Sequence, residues 1–442
     1  MRRAVRFAVL LLVLALGVAG PLVSADDGHV DVLTIKGTIN PVLADYIKRG
    51  VDQAELDGAR ALIIQMDTPG GLDTAMRDII QSVVGARLPV IIYVSPSGGR
   101  AASAGLYITL SGHIAAMAPN TAIGAATPVS LGEGGEQQMS DDLKNKVIND
   151  AAAYIRSIAE AHGRNAEWAE EAVFDGVSIT EQEALTLNVV DIVADDMDDL
   201  LTKIDGQEIT LLGGGTVTLV TEGVSVNYLE MDFIEGFLYA IADPNIAFLL
   251  LSVASLGIMV EIFNPGLIFP GVAGAISGIL AFYSLGQLPV NIAGLLLIVL
   301  AFGLFVAEAF TPTFGLFTGG GAVALIVGGL ILFQGGSPIF QVNVWLLVVV
   351  AVIVAGLFAL IMNKAIQAHH RQATTGREEL SGKKAVVTVA LDPVGTVRYR
   401  GELWEARSSE GRIEKGEEVI INSMDGLTLN ISRNRPADKQ TK

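Results

Sequence analysis

Cysteine is absent from all 442 residues, which excludes disulfides, thiolate metal sites and a cysteine nucleophile together. Lysine and arginine are missing from the whole interval between Lys203 and Lys364, where the only charges are a few Asp and Glu residues. With 47 acidic against 29 basic residues the net charge is -18, which argues against nucleic acid as the default partner, because phosphate binding needs a concentrated basic surface. What the N-terminus does have is Met-Arg-Arg, an apolar run from Phe7 to Val18, and Val23-Ser-Ala25 ahead of Asp26-Asp27. That is the pattern of a secretory signal over residues 1–25, cut after Ala25. The alternative is an uncleaved anchor, and both send the following domain across the membrane.

From Val30 to Val226 strand-like and helix-like segments alternate. Val30–Lys36, Ala61–Met66 and Val90–Val94 read as strands, and Pro41–Leu56, Leu72–Val84 and Ala102–Leu110 as helices. Such alternation predicts an α/β domain over 27–226, with a parallel sheet and its working loops at the strand C-termini. Two of those loops hold the most informative residues: Asp67-Thr-Pro-Gly-Gly71, and Ser95-Pro-Ser-Gly-Gly-Arg-Ala-Ala-Ser-Ala-Gly105.

Ser103 is flanked by Ala102, Ala104 and Gly105, so nothing bulky shields it, and the first turn of a helix places it in a positive field. The pair Gly70-Gly71 tolerates positive φ and can turn N–H groups into a cavity, and the N–H of Ala104 is the natural second donor of an oxyanion hole. Taken singly, Gly-Gly after a strand is also an ordinary tight turn, and Ala-Ala-Ser-Ala-Gly is also a helix-packing motif.

Asp67–Gly71, Ala101–Gly105 and Met117-Ala-Pro-Asn-Thr-Ala-Ile-Gly124 together resemble the signatures of ClpP/crotonase-fold serine peptidases. More narrowly, the chain resembles the long, membrane-bound form of the NfeD family, relatives of signal peptide peptidase A. ClpP peptidases carry a histidine two residues before a proline after the Pro-Asn motif, and Ala126 stands at that place here, before Pro128. The resemblance therefore implies a Ser-Lys dyad. In the family pattern the lysine precedes a segment like Val147–Ser157, which makes Lys146 the base. A lysine serves as a base only when burial keeps it neutral. The helical period instead puts Lys144 nearer the apolar stripe of Leu143, Val147, Ala151, Tyr154, Ile155 and Ile158, so Lys144 is the runner-up. Preferring Lys146 assumes that the helix starts after it.

The stretch between Pro128 and Asp141 is polar, Gly-rich and aperiodic, and reads as a loop over the site that orders when substrate binds. His113 reads as an ordinary, partly exposed histidine, and His162, before Gly163, as a helix cap that favours the dipole. Thr180 and Glu183 form a predicted capping box.

Apolar stretches at 246–263, 267–286, 292–310, 314–333 and 344–362 predict a polytopic helical membrane domain of about five spans over 230–363. Glu261 and Glu308 lie near span ends and read as solvated. A basic linker, 364–378, follows, and its positive charge belongs on the cytoplasmic side. With five spans, the protease domain is extracytoplasmic. Short strands with glycine turns over 379–435 predict a small five-stranded β-barrel, similar to the OB-fold domain that ends NfeD proteins. Tyr399 and Trp404 are its only aromatics in that run of strands, so protein rather than single-stranded nucleic acid is the expected partner.

The resemblance implies a membrane-bound serine endopeptidase, a homo-oligomer, and a stomatin/prohibitin-class membrane protein as partner or substrate, cleaved in apolar segments. Neither metal nor cofactor is called for. Two other classes stay open: a non-catalytic scaffold organising stomatin-like proteins in membrane microdomains, and a crotonase-like acyl-thioester enzyme, for which no adenine-binding feature is present.

Overall fold

The computed structural model describes residues 28–128, 141–311, 313–333, 340–370 and 380–434. The predicted signal, the loop residues 129–140 and residues 371–378 of the basic linker lie outside the described residues. The chain divides near residue 355 into two compact units, described separately below.

Along the first unit, β1 (His29–Lys36), α1 (Pro41–Asp57), β2 (Ala61–Asp67), α2 (Asp73–Val84) and β3 (Val90–Val94) alternate as read from the sequence. Next come β4 (Arg100–Ala102), α3 (Ala104–Ser111), β5 (Ile114–Met117), β6 (Ala122–Gly124), α4 (Asp141–Ala161), α5 (Ala166–Phe174), β7 (Ser178–Thr180), α6 (Glu181–Thr186) and β8 (Ile192–Val193). The domain closes with α7 (Met197–Ile204), the hairpin β9 (Glu208–Thr210) and β10 (Thr216–Thr218), and β11 (Ser225–Tyr228).

Six strands form one wholly parallel sheet in the order β11-β1-β2-β3-β5-β8. Its central strands are apolar at successive positions because both faces are covered. Leu33, Ile64, Ile92 and Met117 meet α1 to α5, while Val32, Ile63, Ile91 and Ala116 meet α7. A smaller sheet, β4-β6-β7, springs from the C-terminal ends of β3 and β5. It is tied back to the main sheet by a bridge between Thr68 and Ala101. Local chemistry sets the element ends. Asn40 accepts the N–H of Leu43 ahead of Pro41, Gly58 closes α1 in the left-handed region, and the Thr180–Glu183 capping box forms as expected.

A short helix not read from the sequence, α8 (Phe233–Ile241), leads into α9 (Pro244–Phe263), α10 (Phe269–Gln287), α11 (Ile292–Phe310), α12 (Leu316–Leu332) and α13 (Val344–His370). All five predicted apolar stretches are helical. By length and composition, α9, α10 and α11 are long and apolar enough to cross a membrane, and α12 and the described apolar part of α13 are shorter. Helices α9/α10 and α11/α12 pack as two close hairpins that repeat each other: Gly274 lies against the Ala254 carbonyl and Gly321 against that of Ala301.

Glu308 departs from the solvated expectation. It is 3% exposed, and its carboxylate accepts the N–H groups of Thr313, Gly315, Phe317 and Thr318 and the Thr313 hydroxyl. The reason is the turn after Phe310, which brings the N-terminus of α12, whose first N–H groups have no helical partner, back over the end of α11.

In the second unit, β12 (Lys384–Val389), β13 (Val394–Tyr399), β14 (Glu402–Ser408), β15 (Glu418–Asp425) and β16 (Thr428–Arg433) close a barrel in the order β12-β13-β14-β16-β15. Only the β14/β16 pairing is parallel, which is the OB-fold arrangement. Val387, Val397, Ala406, Val419, Ile421, Leu429 and Ile431 fill it, with Tyr399 and Trp404 packed against this core.

Candidate active site

The site is assembled where β2 and β4 end. Thr68 N–H donates to the Arg100 carbonyl, Ala102 N–H donates to the Thr68 carbonyl, and Asp67 Oδ1 accepts the N–H of Arg100. These bonds lock the Asp67–Gly71 loop against the strand that delivers Ser103. Ser103 itself is the elbow between β4 and α3, with φ 53° and ψ -117°, a backbone conformation that L-residues rarely adopt. Such a conformation costs about 1–3 kcal/mol and persists only where neighbours hold it. The holding contacts are Ser103 N–H to the Gly124 carbonyl at 3.0 Å and Leu106 N–H to the Ser103 carbonyl at 3.0 Å.

Gly70 lies directly against this elbow. At φ 110° its position would place a Cβ 2.7 Å from Ser103 Cβ and 3.2 Å from Ser103 Oγ, so only glycine fits. Its N–H is engaged by Thr68 Oγ1 at 3.0 Å and its carbonyl accepts from Ile39 N–H, so Gly70 supplies space rather than a free donor. The next residue on each side of the contact is different. Gly71 and Ala104 N–H groups make no hydrogen bond among the described residues. Ala104 is the first residue of α3, where no helical acceptor exists.

Thr68 was not singled out from the sequence. It is fully buried, caps the Gly70 N–H, and packs its methyl where a Cβ on Gly105 would sit, 2.6 Å away. The available signal was a threonine between a strand-ending aspartate and Pro-Gly-Gly, which needs a local acceptor for its turn.

Lys144 and Lys146 lie elsewhere in this arrangement. Both are exposed, and neither side chain makes a hydrogen bond or ion pair among the described residues. Helix α4 begins at Asp141 and includes both, so the expected start after Lys146 is not what forms. Leu143 and Val147, expected on the buried stripe, are 49% and 38% exposed. The helix meets the core only from Ile148 onward, where Tyr107 Oη donates to the Ala151 carbonyl and Arg77 bonds to Asp150. Burial pushes the Tyr107 phenol up, keeping it a donor.

The histidines belong to a separate structural cluster beyond the far end of α3, roughly 12 Å along the helix from Ser103. Arg164, buried, donates to the carbonyls of Leu110 and Gly112 and pairs with Asp191. His113 Nδ1 accepts the Val90 N–H, which fixes the ring as an acceptor, and burial with the Arg164 charge lowers its pKa. His162 is brought down to about 4 by burial, then by Arg164 and His113. It is therefore neutral near pH 7, not the charged helix cap expected.

A stability consequence follows. Between pH 6.5 and about 4 the unfolded chain takes up a proton at this position that the folded chain does not. The contribution is intact above pH 6.5 and is lost as pH falls through that window, on the order of 2 kcal/mol after allowing for partial exposure. Urea midpoints of wild type and His162→Phe should diverge with pH across this interval, and a constant offset between them would refute the assignment.

Comparison with known proteins gives consistent matches along the chain. Residues 29–211 match the family model described as NfeD1b, N-terminal domain, residues 245–364 the NfeD integral membrane domain, and residues 377–433 the NfeD-like C-terminal, partner-binding domain. The membrane-bound protease PH1510 of Pyrococcus horikoshii is 41% identical over 97% of this chain and 98% of its own length. Among solved structures, a serine-to-alanine variant of the 1510-N membrane-bound stomatin-specific protease is 42% identical, covering 46% of this chain and 97% of that one, with a TM-score of 0.42. A lysine-to-alanine variant of that protease in complex with a substrate peptide is 40% identical, covering 48% and 97%, with a TM-score of 0.44.

Proposed function

This chain belongs to the NfeD family of membrane-bound proteases, and on that premise we propose that it is a serine endopeptidase in which Ser103 is the nucleophile. The observation that carries the proposal is the strained elbow at Ser103 pressed against Gly70, with the unengaged N–H groups of Gly71 and Ala104 one residue away on either side. Attack of Ser103 Oγ on a peptide carbonyl would develop an oxyanion that these two N–H groups, unengaged in the fold, are free to stabilise.

Lys146 is the proposed general base, with Lys144 as the runner-up. Both are exposed, so the reading requires the first turns of α4 to close over Ser103 when a peptide binds. Stomatin/prohibitin-class membrane proteins are the proposed partners, cleaved in apolar segments. Support comes from the partner-binding description of the C-terminal family model and from the name of the 1510-N protease. The family resemblance further suggests a homo-oligomer, and five crossings together with the basic residues from Lys364 to Lys384 favour a protease domain outside the cytoplasm and a barrel inside.

The lysine assignment is tested by cleavage of an apolar peptide by the full chain in lipid vesicles. Lys146→Ala should lose cleavage and Lys144→Ala should keep it. The reverse pattern moves the base to Lys144, and full activity in both variants removes the dyad.

A further inference from the structure

Helix α8 has two faces with different surroundings. On one, Glu235 is gripped by the Arg49 guanidinium through two hydrogen bonds of 2.6 Å, and Tyr239, one turn on, donates to the Lys36 carbonyl at 2.9 Å. Arg49 also donates to the Glu230 carbonyl at 3.0 Å, and Tyr46 to that of Leu229 at 2.7 Å, so this face is fastened to the protease domain. The opposite face carries Phe233, Ile234 and Phe237 at 88%, 65% and 41% exposure, and exposed Ala240 extends it. The spacing i, i+1, i+4, i+7 makes one continuous apolar stripe on a nine-residue helix.

What lies beside that stripe is set by its position. Only Ala242 and Asp243 separate α8 from α9, and the Ser284 hydroxyl near the end of α10 donates to the Ile241 carbonyl. The same end of the helical domain gathers the remaining termini: Asn291 N–H donates to the Leu332 carbonyl, and Asn343 N–H donates to Asn245 Oδ1. Trp345, at the start of α13 on this end, is 78% exposed, and an exposed tryptophan at a span end belongs at headgroup level. Helix α8 is thus continuous with the boundary where the membrane helices begin.

We propose that α8 lies in the bilayer surface, with Phe233, Ile234 and Phe237 set among the upper acyl chains, and clamps the protease domain to the membrane. Attraction to anionic lipid plays no part in insertion, because the one charge of α8 is Glu235, already paired with Arg49. The clamp reaches the candidate site through backbone. Tyr239 holds the end of β1 at Lys36, and three residues on Ile39 donates to the Gly70 carbonyl and its carbonyl accepts from Leu72 N–H. The lipid surface therefore anchors the segment that borders Ser103. This assignment is independent of the dyad.

A chain without cysteine allows a direct test. Full-length Phe237→Cys, labelled with a bimane probe, is reconstituted in phosphatidylcholine vesicles containing lipids brominated high on the acyl chains. About half of the emission or more should be quenched, while a label on Leu212→Cys, at the exposed β9–β10 tip, should be unaffected. If Phe237→Cys does not fold, Ala240→Cys places the probe on the same stripe at a small exposed residue. In a Phe233→Ser/Phe237→Ser background the quenching at position 240 should disappear. Quenching by aqueous iodide but not by brominated lipid would overturn the proposal. So would protection from both quenchers, which would mean that protein covers the stripe.

Discussion

Ser103→Ala is expected to reduce cleavage of an apolar peptide by about 10⁴-fold or more, with the fold intact. The size of the effect follows from what the hydroxyl does. Ser103 Oγ makes no hydrogen bond among the described residues, so its removal orphans nothing in the fold. The positive φ that strains serine strains alanine equally, and the bonds to Gly124 and from Leu106 are backbone bonds that survive. Stability should change by less than about 1 kcal/mol, and thermal melts should overlay. Loss of activity together with loss of folding would instead make Ser103 a structural residue.

Gly70→Ala is expected to lower the rate by about 10²–10³-fold, a loss comparable to removal of one oxyanion donor. A methyl at this position would meet Ser103 Cβ at 2.7 Å and the Ala102 carbonyl at 3.2 Å, and neither is the end of a flexible chain. The strained backbone adds roughly 1–3 kcal/mol of destabilisation at φ 110°. Relief must come from movement of the elbow or of the Gly71 N–H, and either misplaces a group that the proposed mechanism uses. The rate constant at saturating peptide should fall far more than the melting temperature. A Gly70→Ala protein with wild-type turnover would show that the loop and the elbow do not act together.

Parts of this architecture were legible because they obey local rules. Ala61–Met66 and Val90–Val94 are apolar at successive positions, as a strand buried on both faces must be, and Gly71 lies in the loop after β2 of the parallel sheet, whereas Ser103 follows the three-residue β4 of the smaller sheet, too short for the sequence pattern to announce. The five apolar helices follow from length and composition alone. Other parts depend on contacts that sequence periodicity does not carry. The division of labour between Gly70 and Gly71 is set by the Thr68 hydroxyl, which takes one N–H and leaves the other. The stripe through Leu143 and Val147 was read as buried because periodicity reports an amphipathic face and not whether anything covers it. Glu308 was read from its distance to a span end, whereas its burial depends on the chain turning back on itself. Helix α8 is not legible in the sequence, because nine residues beside a long apolar span look like part of the approach to it.

Activation of Ser103 as a nucleophile can be read as a covalent adduct. The full chain in lipid vesicles is incubated with a fluorophosphonate probe, digested, and the adduct located by mass spectrometry. A single phosphonylated residue, Ser103, is expected, with labelling lost in Ser103→Ala. Folded wild type that remains unlabelled, or labelling that persists in Ser103→Ala at another serine, would contradict it and favour the scaffold role.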